Sequence, residues 1–302
     1  MEYQSQILVT LTLIRVAVMA DVTGACLRGA KQFQGETCFV GNGVSKVSRD
    51  DLFKTEGAKG IGIEMLERIF DCPSLDDTVF SGSIMLQNLP SVMAVDLLDP
   101  QPGETVLDMC SAPGGKTTHL AQRMNNRGLV VAFDKSKNKV EVVKKNCERL
   151  GVEIVKAFVM DGTKSCDEER AYNEGSSPYP SEYFDRILVD APCSGLGQRP
   201  QFYNKMKLKE LNSFHKIQKK LFATAVKLLK IGGTLVYSTC TNNTDENENI
   251  VEWAKESFEC LEQVVLEHPM GSGCLNFGHS SFELDTISFF ISKFTKKDSL
   301  VE

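Results

Sequence analysis

Cys193, in Asp190-Ala191-Pro192-Cys193, and Cys240, in Ser238-Thr239-Cys240, each follow a short apolar run with the character of a buried parallel strand. Two thiols at strand ends suit a reaction that needs a nucleophile and a second acid or base. Carbon 5 of cytosine is such a case. It attacks poorly by itself, so a nucleophile must first add to carbon 6, and a thiolate adds and leaves readily. After alkylation, the carbon-5 proton must be removed, which gives the second group a task. Enzymes that methylate exocyclic amines of bases instead carry a Pro-Pro-aromatic sequence at the place occupied here by Asp190 to Cys193. The pair therefore points to cytosine methylation through a covalent adduct. An ordinary thiol is mostly protonated at neutral pH, so the attacking cysteine needs local activation, with Lys116 and strand-end dipoles as candidates. Spacing alone does not say which cysteine attacks.

Upstream, Leu107-Asp108-Met109-Cys110-Ser111-Ala112-Pro113-Gly114-Gly115-Lys116-Thr117 reads as strand, glycine turn and helix, the opening of a nucleotide-binding fold. It is neither the dinucleotide G-x-G-x-x-G nor a phosphate-cradling loop, which needs an earlier glycine. A turn with two glycines and a proline brings backbone close to a small cofactor, with a charged methionine portion expected near Asp108 and the loop amides. Asp134 ends the second strand at the distance of a ribose-binding carboxylate. Asp161 and Asp190 end the third and fourth. A single acid after a strand is often a helix cap, so the series carries the reading.

The elements that must hold these residues alternate from Glu104 onward. Strands are expected at 105–108, 129–134, 154–160, 184–190 and 233–238, with helices at 116–124, 139–150, 211–229 and 245–258. Strands at 261–266 and 287–294 without a helix between them imply an antiparallel closing hairpin. Segment 161–181 is polar and reads as a surface excursion beyond its first residues. Before the sheet, 21–49 is rich in Gly and Val, with Gly41-Asn42-Gly43 as a turn, and looks like part of a small β-domain. Val9, Leu11 and Leu13 alternate like strand residues, and the run 7–20 is too short for a bilayer.

The chain has 302 residues, 42% hydrophobic and 25% charged, enough for one large domain and an appendage. Its ten cysteines contain no Cys-x-x-Cys pair, which fits free thiols in a reducing compartment rather than a metal site or a disulfide scaffold. Cys38, Cys72, Cys147, Cys260 and Cys274 read as packing residues, as does Cys110. A net charge of −6 argues against coating nucleic acid by bulk electrostatics. A local basic track remains: Lys205, Lys207, Lys209, Lys216, Lys219 and Lys220 alternate with Phe202, Tyr203 and Phe214, a pattern a solvated helix face explains equally well.

Taken together, Gln87-Asn88-Leu89-Pro90-Ser91, the glycine turn, Asp161-Gly162-Thr163-Lys164, 190–197 and 237–241 resemble the RNA cytosine-5 methyltransferases of the Nop/Sun (NSUN) group. Gly29-Ala30-Lys31 through Gly41-Asn42-Gly43, and Ser194 to Pro200, are similar to the PUA-containing branch, which modifies tRNA near the acceptor end. The resemblance implies an α/β fold: a Rossmann-like class I SAM-dependent methyltransferase with a mostly parallel seven-stranded sheet and an antiparallel closing strand, preceded by a β-rich PUA remnant. Its parts would be an incomplete PUA-like segment at 1–50, a linker and helical lead-in at 51–103, and the methyltransferase domain at 104–302. It also implies that Cys240 attacks, that Cys193 assists proton removal and product release, that Asp190 hydrogen-bonds the cytosine and that Lys116 helps hold the base. S-adenosylmethionine would lie against Cys110, Ser111, Ala112, Pro113, Gly114, Gly115, Lys116, Asp134, Asp161 and Asp190. The expected partner is RNA, specifically tRNA, for a cytoplasmic monomer without metal or membrane. The reacting base must leave its stack.

The family branch has more protein ahead of this point, including the start of its PUA barrel, so an amino-terminally truncated chain is expected. Ser288 stands where the family has glycine, and the stretch between Val265 and Leu284 is short. Two rival readings follow: a truncated, non-catalytic SAM- or RNA-binding product, and a DNA methyltransferase in which Cys193 forms the adduct.

Overall fold

The computed structural model describes residues 15–20, 30–33, 36–39, 61–64, 84–167, 178–198, 206–268, 271–273, 275–276 and 287–300. The chain divides into two units, 1–93 with 282–286, and 94–281 with 287–302.

In the first unit, β1 (Arg15–Ala20), β4 (Ile61–Glu64) and β5 (Ile84–Gln87) form an antiparallel sheet in the order β4-β1-β5. Strands β2 (Ala30–Phe33) and β3 (Glu36–Phe39) form a separate hairpin. The PUA-like reading of 1–50 falls mostly outside the described residues, as do the turn at Gly41-Asn42-Gly43 and the alternation at Val9, Leu11 and Leu13. Helix α1 (Leu89–Leu98) leads out of this unit, with Pro90 in the first turn, where amides lack intrahelical partners.

The second unit is built on β6 (Thr105–Asp108), α2 (Gly115–Arg123), β7 (Leu129–Asp134), α3 (Lys137–Arg149), β8 (Val155–Val159), β9 (Phe184–Asp190), α4 (Leu208–Leu211), α5 (Phe214–Leu228), β10 (Leu229–Thr239), α6 (Glu248–Ser257), β11 (Leu261–Val264), β12 (Leu266–His268), β13 (Gly271–Gly273), β14 (Leu275–Asn276) and β15 (Phe290–Lys296). Its main sheet runs β11-β15-β10-β9-β6-β7-β8, with β14 added on β15. Neighbours from β8 to β10 are parallel, and β15 inserts antiparallel between β10 and β11. This is the Rossmann-like methyltransferase architecture expected from the sequence. The chain leaves β6 toward β7 on one side and later returns to β9 on the other, so the ligand-binding crevice of such a sheet opens at the carboxyl end of β6.

Strand composition follows from this layering. Val106, Leu107, Val130, Val131, Phe133, Ile187, Leu188 and Val189 are all fully buried, because a parallel sheet is covered on both faces. From α5, Leu221, Phe222, Ala225 and Leu228 enter the core at helical spacing. Phe222 is the centre of an aromatic group with Tyr237, Trp253, Phe258 and Phe294. Among the described residues, no helix is long and apolar enough to cross a membrane.

Several expected boundaries shift for local reasons. The single helix expected at 211–229 is two, because the Ser213 hydroxyl donates to Glu210 O at 2.6 Å and diverts the backbone at the junction. The strand expected at 233–238 begins at Leu229 and passes through a register shift between Leu229 and Thr234. The helix expected at 245–258 is preceded by a 3-10 turn, Thr244–Glu246, and Asn247 interrupts the two. The strand expected at 261–266 is split between β11 and β12, the latter pairing with β13. The closing strand starts at Phe290 rather than 287, since Ser288 N donates to Gly197 O at 2.9 Å instead of joining the ladder. The excursion at 161–181 is not wholly superficial. Tyr179 is fully buried and packs its ring on Phe133, Tyr183 and Phe184.

Candidate active site

Asp108 ends β6, and the turn after it holds Cys110, Ser111, Ala112, Pro113 and Gly114 before α2 starts at Gly115. Ser111 is tied to the end of β7 through its amide and its hydroxyl, both donating to Phe133 O at 2.8 and 3.0 Å. Gly114 has φ +108°, and an added Cβ would approach the Val143 backbone at 3.3 Å, so a side chain there meets both strain and α3. No side chain caps the start of α2, which leaves its first-turn amides as donors for a carboxylate. Asp108 itself is fully buried beneath the turn and accepts from the Thr117 hydroxyl at 2.8 Å. Burial pushes its carboxyl up to about 7, against the pull of Thr117. The turn's amides, rather than this acid, are what the loop offers to a ligand.

The two neighbouring acids are fixed at the carboxyl ends of their strands. Asp134 Oδ1 accepts from Ser136 N at 2.8 Å. Asp161 Oδ1 accepts from Thr163 N at 3.0 Å and Oγ1 at 2.8 Å, and Lys135 lies 3.1 Å from Oδ2. Partial burial pushes the Asp161 carboxyl up, but Thr163 and Lys135 outweigh it and hold the group below its ordinary value. Cys110 is the opposite case: burial first, then the carboxylates of Asp108, Asp190 and Asp134, push its thiol well above the usual range. It is an inert thiol surrounded by acids. Uncapped amides, a glycine at positive φ where a side chain would be strained and carboxylates at successive strand ends fit a nucleoside cofactor bearing an amino-acid group.

Strand register assembles the other half. Ser238 on β10 stands opposite Asp190 on β9, so the residues just beyond, Cys240 and Cys193, emerge side by side. Their sulfurs are 3.3 Å apart. The Asp190 carboxylate accepts from Lys116 Nζ at 2.7 Å on one oxygen and from the Ser238 hydroxyl at 2.8 Å on the other. Lys116 thus reaches from the first turn of α2 to the end of β9, and its ammonium also lies 5.3 Å from the Phe289 ring centre. This pair joins the glycine turn to the two-cysteine end.

The two thiols are not equivalent. A hydrogen bond from Cys193 lowers the Cys240 thiol to about 7, opposed by burial and Asp190 and aided by Gln198 and Lys116. The same hydrogen bond, followed by burial, pushes Cys193 far above the ordinary thiol range. The two sulfurs are close enough to share one proton, and the groups around them favour ionisation of Cys240 over Cys193.

Sequence reasoning missed the groups that fix these loops. Glu246 is fully buried. One of its oxygens accepts from Ser194 N at 2.9 Å and Gln218 Nε2 at 3.0 Å, and the other accepts from Asn243 Nδ2 at 2.9 Å. Gln218 also donates to Pro192 O at 3.0 Å, and the Ser194 and Thr241 hydroxyls are 2.8 Å apart. The loops that carry the cysteines are therefore tied to one buried carboxyl group. Gln198, noted in the sequence only as part of a branch-like run, points Nε2 at Cys240 Sγ, 3.4 Å away. In the sequence Ser238 stands out only as the start of Ser238-Thr239-Cys240. Nothing short of strand register signals its contact with Asp190. The basic track at Arg199 to Lys205 lies outside the described residues, and Lys219 lies over the Trp253 ring at 4.9 Å.

The chain is 48% identical over 258 residues to the mouse (Mus musculus) tRNA (cytosine(72)-C(5))-methyltransferase NSUN6, covering 85% of this chain and 54% of that protein. It is 45% identical over 278 residues to the human (Homo sapiens) protein of the same name, covering 91% and 59%. The crystal structure of NSun6 from Pyrococcus horikoshii with SFG matches with a TM-score of 0.65 and 34% identity over 76% of this chain and 57% of that one. The chain thus spans about half the length of the curated relatives it matches. The profile of the 16S rRNA methyltransferase RsmB/F family matches residues 95–286, which takes in the glycine turn, both cysteines and Glu246, and the chain belongs to that family.

Proposed function

We propose that this chain transfers a methyl group from S-adenosylmethionine to carbon 5 of cytosine in RNA, with tRNA near the acceptor end as substrate. The observation that carries the reading is the pair of sulfurs 3.3 Å apart at the ends of β9 and β10, beside the paired Lys116 and Asp190. The mouse and human relatives are named for cytosine 72 of tRNA, which supports the substrate class. Thiols at Cys110, Cys147, Cys166, Cys193, Cys240 and Cys260 suit a reducing compartment such as the cytoplasm.

When bound, the cofactor supplies an electrophilic methyl group. The amides at the start of α2 would hold its carboxylate, and Asp134 and Asp161 its amino and hydroxyl groups. Cys240, as thiolate, attacks carbon 6 of a base that has left its stack, making carbon 5 nucleophilic. Asp190, oriented by Lys116 and Ser238, accepts a hydrogen bond from the amino side of the cytosine ring. After alkylation, Cys193, having passed its own proton to solvent, accepts the carbon-5 proton as thiolate, and the carbon–sulfur bond breaks, returning Cys240 as thiolate.

The test is transfer of labelled methyl from S-adenosylmethionine to an unmodified tRNA pool, with the product mapped. Formation of 5-methylcytosine near the acceptor end, absent with Cys240→Ala, supports the reading. Cofactor binding without RNA affinity at low salt would favour the truncated, non-catalytic alternative.

A further inference from the structure

The Asp190 carboxylate opposes a negative sulfur at Cys240, and the Lys116 ammonium that would favour one is already paired to Asp190 at 2.7 Å. What directly favours the thiolate is hydrogen bonding, and two donors reach the sulfur: the Cys193 thiol and the Gln198 amide. Cys193 has a separate task in the reaction. The Gln198 amide does not titrate, so it can donate at every stage.

The loop is shaped to keep it there. Gly195 turns the chain at φ +65°, and Gln198 folds back over it, with an added Cβ at Gly195 lying 3.7 Å from Gln198 Cδ. Gln198 N donates to Gly195 O at 3.1 Å, which closes the turn. Between them, Gly197 N donates to Cys240 O at 3.1 Å and Gly197 O accepts from Ser288 N at 2.9 Å. A Cβ on Gly197 would stand 2.3 Å from Ser288 O and 2.9 Å from Cys240 O, so glycine alone allows this approach. The loop is thus fastened to the backbone of the residue whose sulfur it addresses.

We propose that Gln198 is a catalytic hydrogen-bond donor to the Cys240 sulfur, stabilising the thiolate before attack on the base and again when the carbon–sulfur bond breaks. The proposal rests on Cys240 being the nucleophile. A donor fixed in this way acts equally on the entering and the departing sulfur. Its effect on the free enzyme is a lower thiol pKa, in line with the direction seen at Cys240.

The test uses the free chain, without RNA or cofactor: the rate of Cys240 alkylation by iodoacetamide against pH, followed by peptide mass spectrometry. Gln198→Ala is expected to raise the midpoint by about half to one pH unit, and Gln198→Glu by more, because a carboxylate repels the thiolate. Thermal midpoints should stay unchanged, since the Gln198 side chain is exposed. Superimposable alkylation profiles for the chain and both variants would overturn the proposal. In methyl transfer, Gln198→Ala should lower kcat and leave KM for RNA near its original value; a change in KM alone would overturn the catalytic role. If the alkylation midpoint moves but no methyl transfer is found for the unmodified chain, the donor role toward the sulfur stands and the RNA reading fails.

Discussion

The glycine turn and the two-cysteine end sit at the carboxyl edge of one sheet, yet they are held by different means. The turn is local: Cys110 to Lys116 are consecutive, and their shape depends on Gly114 and on backbone bonds to the adjacent β7. The cysteine end joins loops 47 residues apart, and what fixes it is a buried carboxyl group at Glu246 that takes donors from both loops and from α5. A local site fails residue by residue, whereas a site assembled around one buried hub fails as a whole. Lys116 belongs to both, rooted in the turn and paired to Asp190 across the sheet.

The hub should show the largest effect. Glu246→Ala removes the acceptor of Ser194 N, Gln218 and Asn243 in a site closed to water, and we expect a loss of roughly 2–4 kcal/mol in denaturant unfolding. Alkylation of the two cysteines should also lose its selectivity. Retained stability and selectivity would remove the contrast between the regions. On the local side, Gly114→Ala forces a left-handed conformation on an L-residue and crowds Val143, which costs about 1–2 kcal/mol. It should weaken cofactor binding measured by calorimetry while leaving the alkylation profile of Cys240 in place.

A third effect is one of pH. Burial pushes the folded Asp108 carboxyl up from 3.8 to about 7, so between these values the folded state holds a proton that the unfolded state has lost. Stability from this group is full below about pH 4 and declines as pH rises to about 7. Asp108→Asn should flatten that part of the stability curve in urea titrations at several pH values. An unchanged slope would show that Asp108 ionises normally beneath the turn.

The same contrast explains what could be read from the sequence. The turn is legible because its cause is contiguous: strand, Pro113, Gly114, Gly115 and helix follow one another. The strands that end at Asp134, Asp190 and Thr239 are legible because buried parallel strands are continuous apolar runs. Their positions beside one another are not, since register is a property of two strands. Ser238 meets Asp190, and Cys240 meets Cys193, only once β9 and β10 align. Glu246 looked like one acid among several in the run 245–248, and nothing in its neighbourhood told that it is buried under both loops. Tyr179 is hidden in the same way, one of two tyrosines in a polar stretch, near its end, that turns back into the core.

The central claim is the division of labour between the two sulfurs, and trapping the covalent intermediate tests it most directly. The chain, Cys193→Ala and Cys240→Ala would each be mixed with unmodified tRNA and S-adenosylmethionine, run on a denaturing gel and digested to locate any RNA-linked peptide. The expected result is a strong RNA–protein species in Cys193→Ala, linked at Cys240, and none in Cys240→Ala. An adduct at Cys193 that persists in Cys240→Ala would contradict it.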